Sequence, residues 1–221
     1  VSMPKVKIPR KSTNIDMTAM CDVAFLLLTF FILATKQKPP EVLAVTPPSS
    51  ISAKAVPDKS IMITLTKDGK AFLMLGDDTK KGEILENVNL TKGLNLSAPE
   101  LTKWKKQEFY GLPFNMVKSA LGLSQQLPAT KMPGIPIDSV NNEMTDWIRS
   151  ISNVYAGSDQ RTLQEMLLVK GDNETLYPQF KSIKQSLKKN DIFKFRIVTN
   201  GESVPIGSEL YNESVAGAGA K

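Results

Sequence analysis

The sequence predicts one N-terminal transmembrane helix followed by an α+β domain, in which a small sheet carries two or more helices on one face. Three observations predict it. An apolar segment covers residues 17–35, a proline-rich stretch follows at 36–58, and strand and helix patterns alternate over 59–200. We expect a basic tail at 1–16, a linker at 36–58 and a flexible tail at 201–221.

The apolar segment reads MTAMCDVAFLLLTFFILAT and holds a single charge. At about 1.5 Å per residue, a helix over 17–35 spans about 28 Å, close to the hydrocarbon thickness of a bilayer. A cleaved signal peptide is disfavoured, because Ile32 stands where a cleavage site before residue 35 would need a small side chain. A buried core helix would not usually be this long and apolar on all sides. The sequence therefore predicts an uncleaved membrane anchor.

Basic residues flank this segment, four before it and two after it: Lys5, Lys7, Arg10, Lys11, Lys36 and Lys38. Residues 1–38 carry a net charge of +4, and the rest of the chain only +2 of the total of +6. This distribution fits a membrane anchor and argues against a nucleic-acid binder. The positive-inside rule places the N-terminus in the cytoplasm and everything after Lys36 on the other side.

The composition restricts the available chemistry. The chain has no histidine, and its one cysteine, Cys21, excludes an intrachain disulfide. Any proton chemistry must use carboxylates, lysines or tyrosines. We find no glycine-rich phosphate loop, metal-ligand spacing or nucleophile elbow, so we expect neither an enzyme nor a metal or cofactor site.

Asp22 is the charged residue inside the apolar segment. An ionised aspartate near the middle of such a helix costs about 2.5–3.5 kcal/mol. Asp22 lies in the first third, so one interpretation is a tolerated charge that snorkels to the interface. The other is an ionisable group facing a protein-lined cavity. Thr18 and Thr29 favour the second, because they lie within about 40° of Asp22 around the helix and form one polar stripe with it.

A low-dielectric environment disfavours the carboxylate relative to the protonated acid, so such a group can take up and release protons. One helix cannot enclose a channel, and partner helices are therefore required.

Residues 14–23, followed by the Leu/Phe run, resemble the ExbD/TolR family, and residues 59–70 and 167–199 resemble its outer domain more weakly. The family's proline is replaced here by Ala19 or Met20. The resemblance implies that Asp22 accepts the proton, with Thr18 and Thr29 as less specific matches. It also implies a bacterial inner-membrane protein with a periplasmic domain.

The same resemblance implies partners and a mechanism. Family members form a dimer whose helices lie inside a ring, expected to be pentameric, of an ExbB- or TolQ-like subunit. Proton flow drives the complex, and the outer domain passes the work to TonB or TolA. We favour the ExbD role in outer-membrane transport, with the TolR role in envelope maintenance as an alternative. A membrane-anchored periplasmic binding module without proton transfer is a third interpretation.

The outer region begins with a linker rich in proline. Within it, residues 42–47 have strand-like apolar content and either add to a sheet edge or stay disordered. Ile61, Ile63 and Leu65 alternate with less apolar residues and predict a strand. Asp68-Gly69 predicts a hairpin turn, and residues 71–75 form the return strand.

Later elements follow from capping and periodicity. We predict helices over 98–110, 114–121 and 139–154, a strand over 166–169, a helix with Pro178 in its first turn and a last strand over 193–199. Asp77-Asp78 is interpreted as a solvated turn rather than a metal site. The stretch 77–160 is longer than the family's usual loop. It serves as a partner-docking surface, as a peptidoglycan contact or as an insertion without a function of its own. The residues do not decide between these three interpretations.

Overall fold

The computed structural model describes residues 17–34, 43–51, 54–57, 59–123, 127–138, 140–156, 160–209 and 211–212. The chain divides into two compact units, residues 1–41 and 42–221. The first contains helix α1 (Met17–Ala34), and the second contains a small mixed sheet with several helices. The predicted fold class is confirmed. The basic tail at 1–16 lies outside the described residues.

The second unit has seven described strands: β1 (Ser49–Ser50), β2 (Ile61–Leu65), β3 (Ala71–Leu75), β4 (Phe109–Tyr110), β5 (Leu167–Gly171), β6 (Arg196–Ile197) and β7 (Asn200–Gly201). Its described helices are α2 (Asp78–Lys92), α3 (Ala98–Lys105), α4 (Phe114–Leu121), α5 (Glu143–Tyr155), α6 (Gln160–Met166) and α7 (Tyr177–Lys188), with a 3-10 turn at Ala129–Lys131.

The main sheet has five strands in the order β4-β3-β2-β5-β6. β2 and β3 form the predicted antiparallel hairpin, with Ile61 opposite Leu75 and Leu65 opposite Ala71. Gly69 takes φ 75° in the connecting turn, a conformation that favours glycine. β5 lies parallel to β2, and β6 lies parallel to β5. β6 is therefore the end strand of the sheet.

The apolar core lies between the sheet and helices α2, α5 and α7. Ile63, Leu73 and Val169 from the central strands are fully or almost fully buried there. α5 contributes the inward residues that its periodicity predicts, namely Met144, Trp147, Ile148 and Ile151. Ile183, Ser186 and Leu187 of α7 are buried, whereas Phe180 is half-buried.

Two predicted helices have different bounds. The helix predicted over 98–110 ends at Lys105, because the chain then adds β4 to the sheet and the Tyr110 hydroxyl donates to the Trp104 carbonyl. The helix predicted over 139–154 begins at Glu143, where the side chain of Asn142 accepts from the Thr145 amide. Val140, which a helix over 139–154 would place on the same apolar face as Met144 and Trp147, lies before the observed helix and is fully exposed.

The interpretation of Asp77-Asp78 as a solvated turn is wrong, because these residues begin α2. The Asp77 carboxylate accepts a hydrogen bond from the Thr79 amide at the N-cap position. The Thr79 hydroxyl, which also donates to it, is the main cause of a lowered pKa for Asp77. α2 packs against α5 and α3.

The last strand is also shorter than predicted. Only Arg196–Ile197 pair with β5, and Phe193 and Ile197 are exposed. The alternation at 193–199 is typical of a strand, but it does not show that the strand lies at the end of the sheet. The strand predicted at 166–169 is observed as Leu167–Gly171.

Residues 43–51, which we call the strap, lie on the second unit. Leu43 is half-buried and Val45 and Pro47 are buried, so alternate side chains face the domain. Ser49 and Ser50 then pair in parallel with Asn200 and Gly201. The paired residues follow the stretch 42–47, for which we predicted either addition to a sheet edge or disorder, and residues 43–47 themselves form no strand in the described part of the chain. The tail predicted as flexible begins inside β7, and its residues 210 and 213–221 lie outside the described residues.

Candidate functional site

Helix α1 is the candidate site in the first unit. Its 18 residues have a mean hydropathy of 2.2, and in the described part of the chain it is the one helix long and apolar enough to cross a membrane. Leu, Phe, Ile, Val, Ala and Met fill most positions, and none of its residues is buried in the described structure. Lipid or other helices must therefore cover its apolar surface.

Asp22 lies about 7.5 Å along the helix axis from Met17 at the first described turn. The helical geometry places Thr18 about one turn before it and Thr29 about two turns after it, on the same face. Asp22 and Thr29 are separated by about 10.5 Å along the axis, too far for a direct hydrogen bond. The three side chains therefore share a face without forming one bonded cluster.

The hydroxyl of Thr29 already has a partner. It donates a 2.9 Å hydrogen bond to the Leu26 carbonyl within the helix. Its oxygen keeps lone pairs that accept hydrogen bonds from water or from a neighbouring helix. Thr29 is the half-exposed position in a helix whose other described residues are exposed.

This arrangement suits reversible protonation of the Asp22 carboxyl group. A carboxyl group on a polar stripe can alternate between its acid and carboxylate forms if water or polar groups reach it from both sides. In the described chain those groups would have to come from outside α1, because none of its faces is covered. The proton-transfer roles of Asp22, Thr18 and Thr29 stay predictions.

The second unit contains features that the sequence did not reveal. Asp172, directly after β5, bonds to the strap through its carboxylate. Two grooves flank β6, and they are lined by residues from distant parts of the chain. Gly171-Asp172 after a strand indicates a turn, but nothing in that dipeptide points to a partner far along the sequence. Lys54 and Arg196 likewise meet only through the fold.

An apolar helix with one carboxyl group, followed by a separate α+β unit, defines a single-pass membrane protein. The chain belongs to the ExbD/TolR family: the family model described as "ExbD: Biopolymer transport protein ExbD/TolR" matches residues 9–202, nearly the whole sequence. Neither the curated proteins nor the solved structures compared with the chain give a match. Family membership supports an energy-transducing role in biopolymer transport and membrane partners of the ExbB/TolQ type.

Proposed function

We propose that this chain is the proton-handling subunit of an ExbD-like motor in the bacterial inner membrane. The observation that carries the proposal is Asp22, the ionisable carboxyl in the spanning helix of a family member. A membrane-embedded carboxylate is costly, and such groups usually face a water-filled or protein-lined pathway. Protons are the coupling ion.

The proposal includes a topology and a set of partners. More basic residues precede α1 than follow it, so the N-terminus lies in the cytoplasm and the second unit in the periplasm. A second copy of this chain and a ring of ExbB-like subunits supply the helices that cover α1. A TonB-like protein receives the work in the periplasm.

The family includes both the ExbD and the TolR roles. We propose the ExbD role, in which the work serves outer-membrane transport. A strain that lacks this gene separates the two roles. Loss of TonB-dependent uptake with an intact envelope supports ExbD, whereas detergent sensitivity with normal uptake supports TolR.

Proton flux through the assembled complex tests the proposal. The chain and its ring subunit are purified together, placed in liposomes with a potassium gradient and assayed with a pH-sensitive dye. Asp22→Asn keeps the size of the side chain but cannot ionise. We expect flux to fall at least about tenfold, while the yield of assembled complex is unchanged.

Two variants serve as controls. Asp22→Glu keeps a carboxyl group and should retain measurable flux. Asp68→Asn removes an exposed carboxylate in the hairpin turn of the second unit and should leave the flux unchanged. Wild-type flux in Asp22→Asn would refute the proton-handling role.

One observation favours a second candidate, a membrane-anchored binding module. Helix α1 and the second unit are separate compact units, as expected if the helix only tethers the domain. This candidate predicts that a plain polyleucine anchor replaces α1 without loss of uptake. The motor predicts that this replacement abolishes uptake even though the protein is inserted.

A further inference from the structure

A pocket in the second unit is formed by parts of the chain that lie far apart in the sequence. Its volume is about 260 Å³. The strap, β5, α7 and β6 form its walls, through Pro48, Val169, Tyr177, Phe180 and Ile197 among others. These side chains are mainly apolar, so the pocket offers an apolar surface to a ligand.

Gly171, at the end of β5, leaves space in this pocket that a side chain could fill. It lines the pocket and lies opposite Leu65 of β2. A Cβ atom built on Gly171 meets no other atom within 4 Å. Gly171 is not among the glycines with positive φ, so its backbone conformation does not require glycine. The missing side chain at this strand position therefore keeps the pocket open.

Asp172 is the one lining residue that is charged at neutral pH. Its carboxylate accepts hydrogen bonds from the Thr46 amide at 2.9 Å and the Glu174 amide at 3.0 Å. These two bonds hold the pKa of Asp172 below its usual value, so the group is ionised at neutral pH. Because a carboxylate has about four lone-pair sites, about two stay available to a ligand.

The aromatic wall of the pocket is well placed to receive the apolar part of a ligand. Tyr177 is 67% exposed and Ile197 is 52% exposed, so both present apolar surface to solvent. Phe180 is half-buried, and its ring centroid lies 6.3 Å from that of Phe195. The faces of aromatic rings also attract cations. Apolar surface and one negative charge together favour a ligand that has an apolar body and a positive charge.

We propose that this pocket binds a small organic amine, in which an aromatic or branched aliphatic group carries a single ammonium group. The apolar group occupies the space beside Gly171 and packs on Tyr177 and Phe180. The ammonium group pairs with the Asp172 carboxylate. Pockets for drug-sized ligands have volumes of about 300–1,000 Å³, so a pocket of about 260 Å³ takes a smaller molecule.

Other classes of ligand complement the pocket less well. An anionic ligand would be repelled by Asp172. An uncharged lipid tail would place apolar groups beside a carboxylate that loses contact with water and gains no partner. The bonds from Asp172 to the strap explain why this residue is ionised, but they do not explain the open space at Gly171.

An amine in the pocket should hold the strap in place. It would contact Pro48 of the strap and Asp172, which already binds the Thr46 amide. A ligand that binds only the docked strap stabilises that state by mass action. The strap is the described segment that follows α1 in the chain, so the amine would regulate the motor. That purpose rests on the proposed function, whereas the binding itself does not.

Fluorine NMR on the full-length chain in nanodiscs of zwitterionic lipid tests the inference, with empty nanodiscs as the blank. The probe is para-fluorophenethylamine. We expect saturable line broadening with a Kd of about 1 mM, which is typical of so small a ligand. The uncharged para-fluorophenethyl alcohol and the anionic para-fluorophenylpropionate should each bind at least about threefold more weakly.

Two variants sharpen the test. Gly171→Val fills the pocket and should abolish saturable binding. Gly201→Val is the matched control, because a Cβ there also meets no atom within 4 Å and Gly201 lies outside the pocket. Asp172→Asn keeps an acceptor oxygen without the charge, and should lose the preference for the amine over the alcohol. Unchanged fluorescence of Trp104 and Trp147 reports an intact second unit.

Hydrogen exchange measures the effect on the strap. At an amine concentration about ten times Kd, exchange within residues 43–51 should slow by up to about tenfold. Gly171→Val should show no such slowing. Slowing that depends on the amine and on an open pocket supports the inference.

Three results would overturn the inference. They are equal binding of the amine and the alcohol, wild-type amine binding by folded Gly171→Val, and exchange of the strap that the amine leaves unchanged. Saturable binding of the alcohol alone would replace the amine with an uncharged apolar ligand. The assays need no proton gradient, and Asp22→Asn should bind the amine normally. Failure here is therefore separable from failure of the proton-handling role.

Discussion

The backbone amide of Thr46 donates a 2.9 Å hydrogen bond to Oδ2 of Asp172, which lies 126 residues further along the chain. Oδ1 of the same carboxylate accepts from the Glu174 amide at 3.0 Å. The Asn173 amide returns a 2.9 Å bond to the Thr46 carbonyl. One side chain thus joins the strap to the end of β5 and to the turn that leads into α7.

Replacing Asp172 with alanine should loosen the strap, because both acceptors are lost while the rest of the sheet is unchanged. We expect amide hydrogen exchange within residues 43–51 to accelerate by up to about tenfold. Exchange is measured by mass spectrometry on the full chain in nanodiscs. Asp138→Ala, which removes an exposed carboxylate elsewhere in the second unit, is the control. An unchanged exchange rate would show that the apolar contacts of Val45 and Pro47 suffice.

The same contact should respond to acid. Hydrogen bonds from the Glu174 and Thr46 amides, with nearby Lys67, hold the pKa of Asp172 below its usual value. Since the folded pKa is lowered, the stabilisation is complete above the ordinary aspartate pKa of about 3.9 and is lost as pH falls through the folded value. The amide resonance of Thr46, followed by NMR, should therefore titrate with a midpoint below about 3.9. A midpoint at or above that value would contradict the contact.

Local sequence patterns predicted the helices and strands that are determined by residues near each other in the sequence. The hairpin at Ile61–Leu75 follows from period-two alternation and a turn that needs glycine. α5 follows from its apolar face. α2 was missed because Ile84, Leu85 and Val88 are its only buried apolar residues in an otherwise polar stretch, and because an acidic pair is equally typical of a turn and a helix N-cap.

The functional features also differ in whether local sequence could predict them. Asp22 could be predicted because a carboxyl in an apolar segment is unusual by itself, and helical geometry then brings Thr18 and Thr29 to its face. The contact between Thr46 and Asp172 could not be predicted, since it depends on which strand ends lie beside the strap. The end position of β6 in the sheet could not be predicted either, because alternation alone does not distinguish a central strand from an end strand.

Glu143 begins α5 but also serves the neighbouring helix. Its Oε2 accepts a 2.8 Å hydrogen bond from the Phe114 amide at the start of α4, and this contact is buried. Pro113, at the N-cap of α4, has no side chain that can cap the helix. The carboxylate therefore replaces the missing cap.

Glu143→Ala should lower the free energy of unfolding by about 1–3 kcal/mol, because it leaves a buried amide without an acceptor. Glu143→Gln keeps an acceptor oxygen and should cost less. Urea unfolding followed by fluorescence of buried Trp104 and Trp147 measures both values. Glu86→Ala, an exposed carboxylate on α2, should change stability by less than about 0.5 kcal/mol. A Glu143→Ala variant as stable as Glu86→Ala would rule out the capping role.

Gly111, directly after β4, lies close against the side chain of Phe72 in β3. A Cβ atom at this position would lie 2.5 Å from Cε1 of Phe72 and closer still to Cδ1. Phe72 is 2% exposed and has little room to move. The Gly111 carbonyl also accepts a 2.9 Å hydrogen bond from the Gly134 amide, which fixes the backbone on its other side.

Gly111→Ala should therefore lower the free energy of unfolding by about 1–3 kcal/mol through overpacking. Gly171→Ala is the matched control, because a Cβ there meets no atom within 4 Å and the change should be small. Phe72→Leu removes the ring that the new methyl group would strike, so the double variant with Gly111→Ala should lose less stability than the two single changes added together. Urea unfolding of all four variants gives this coupling. Strict additivity would mean that the backbone shifts to accommodate the methyl group and that Phe72 is not the obstacle.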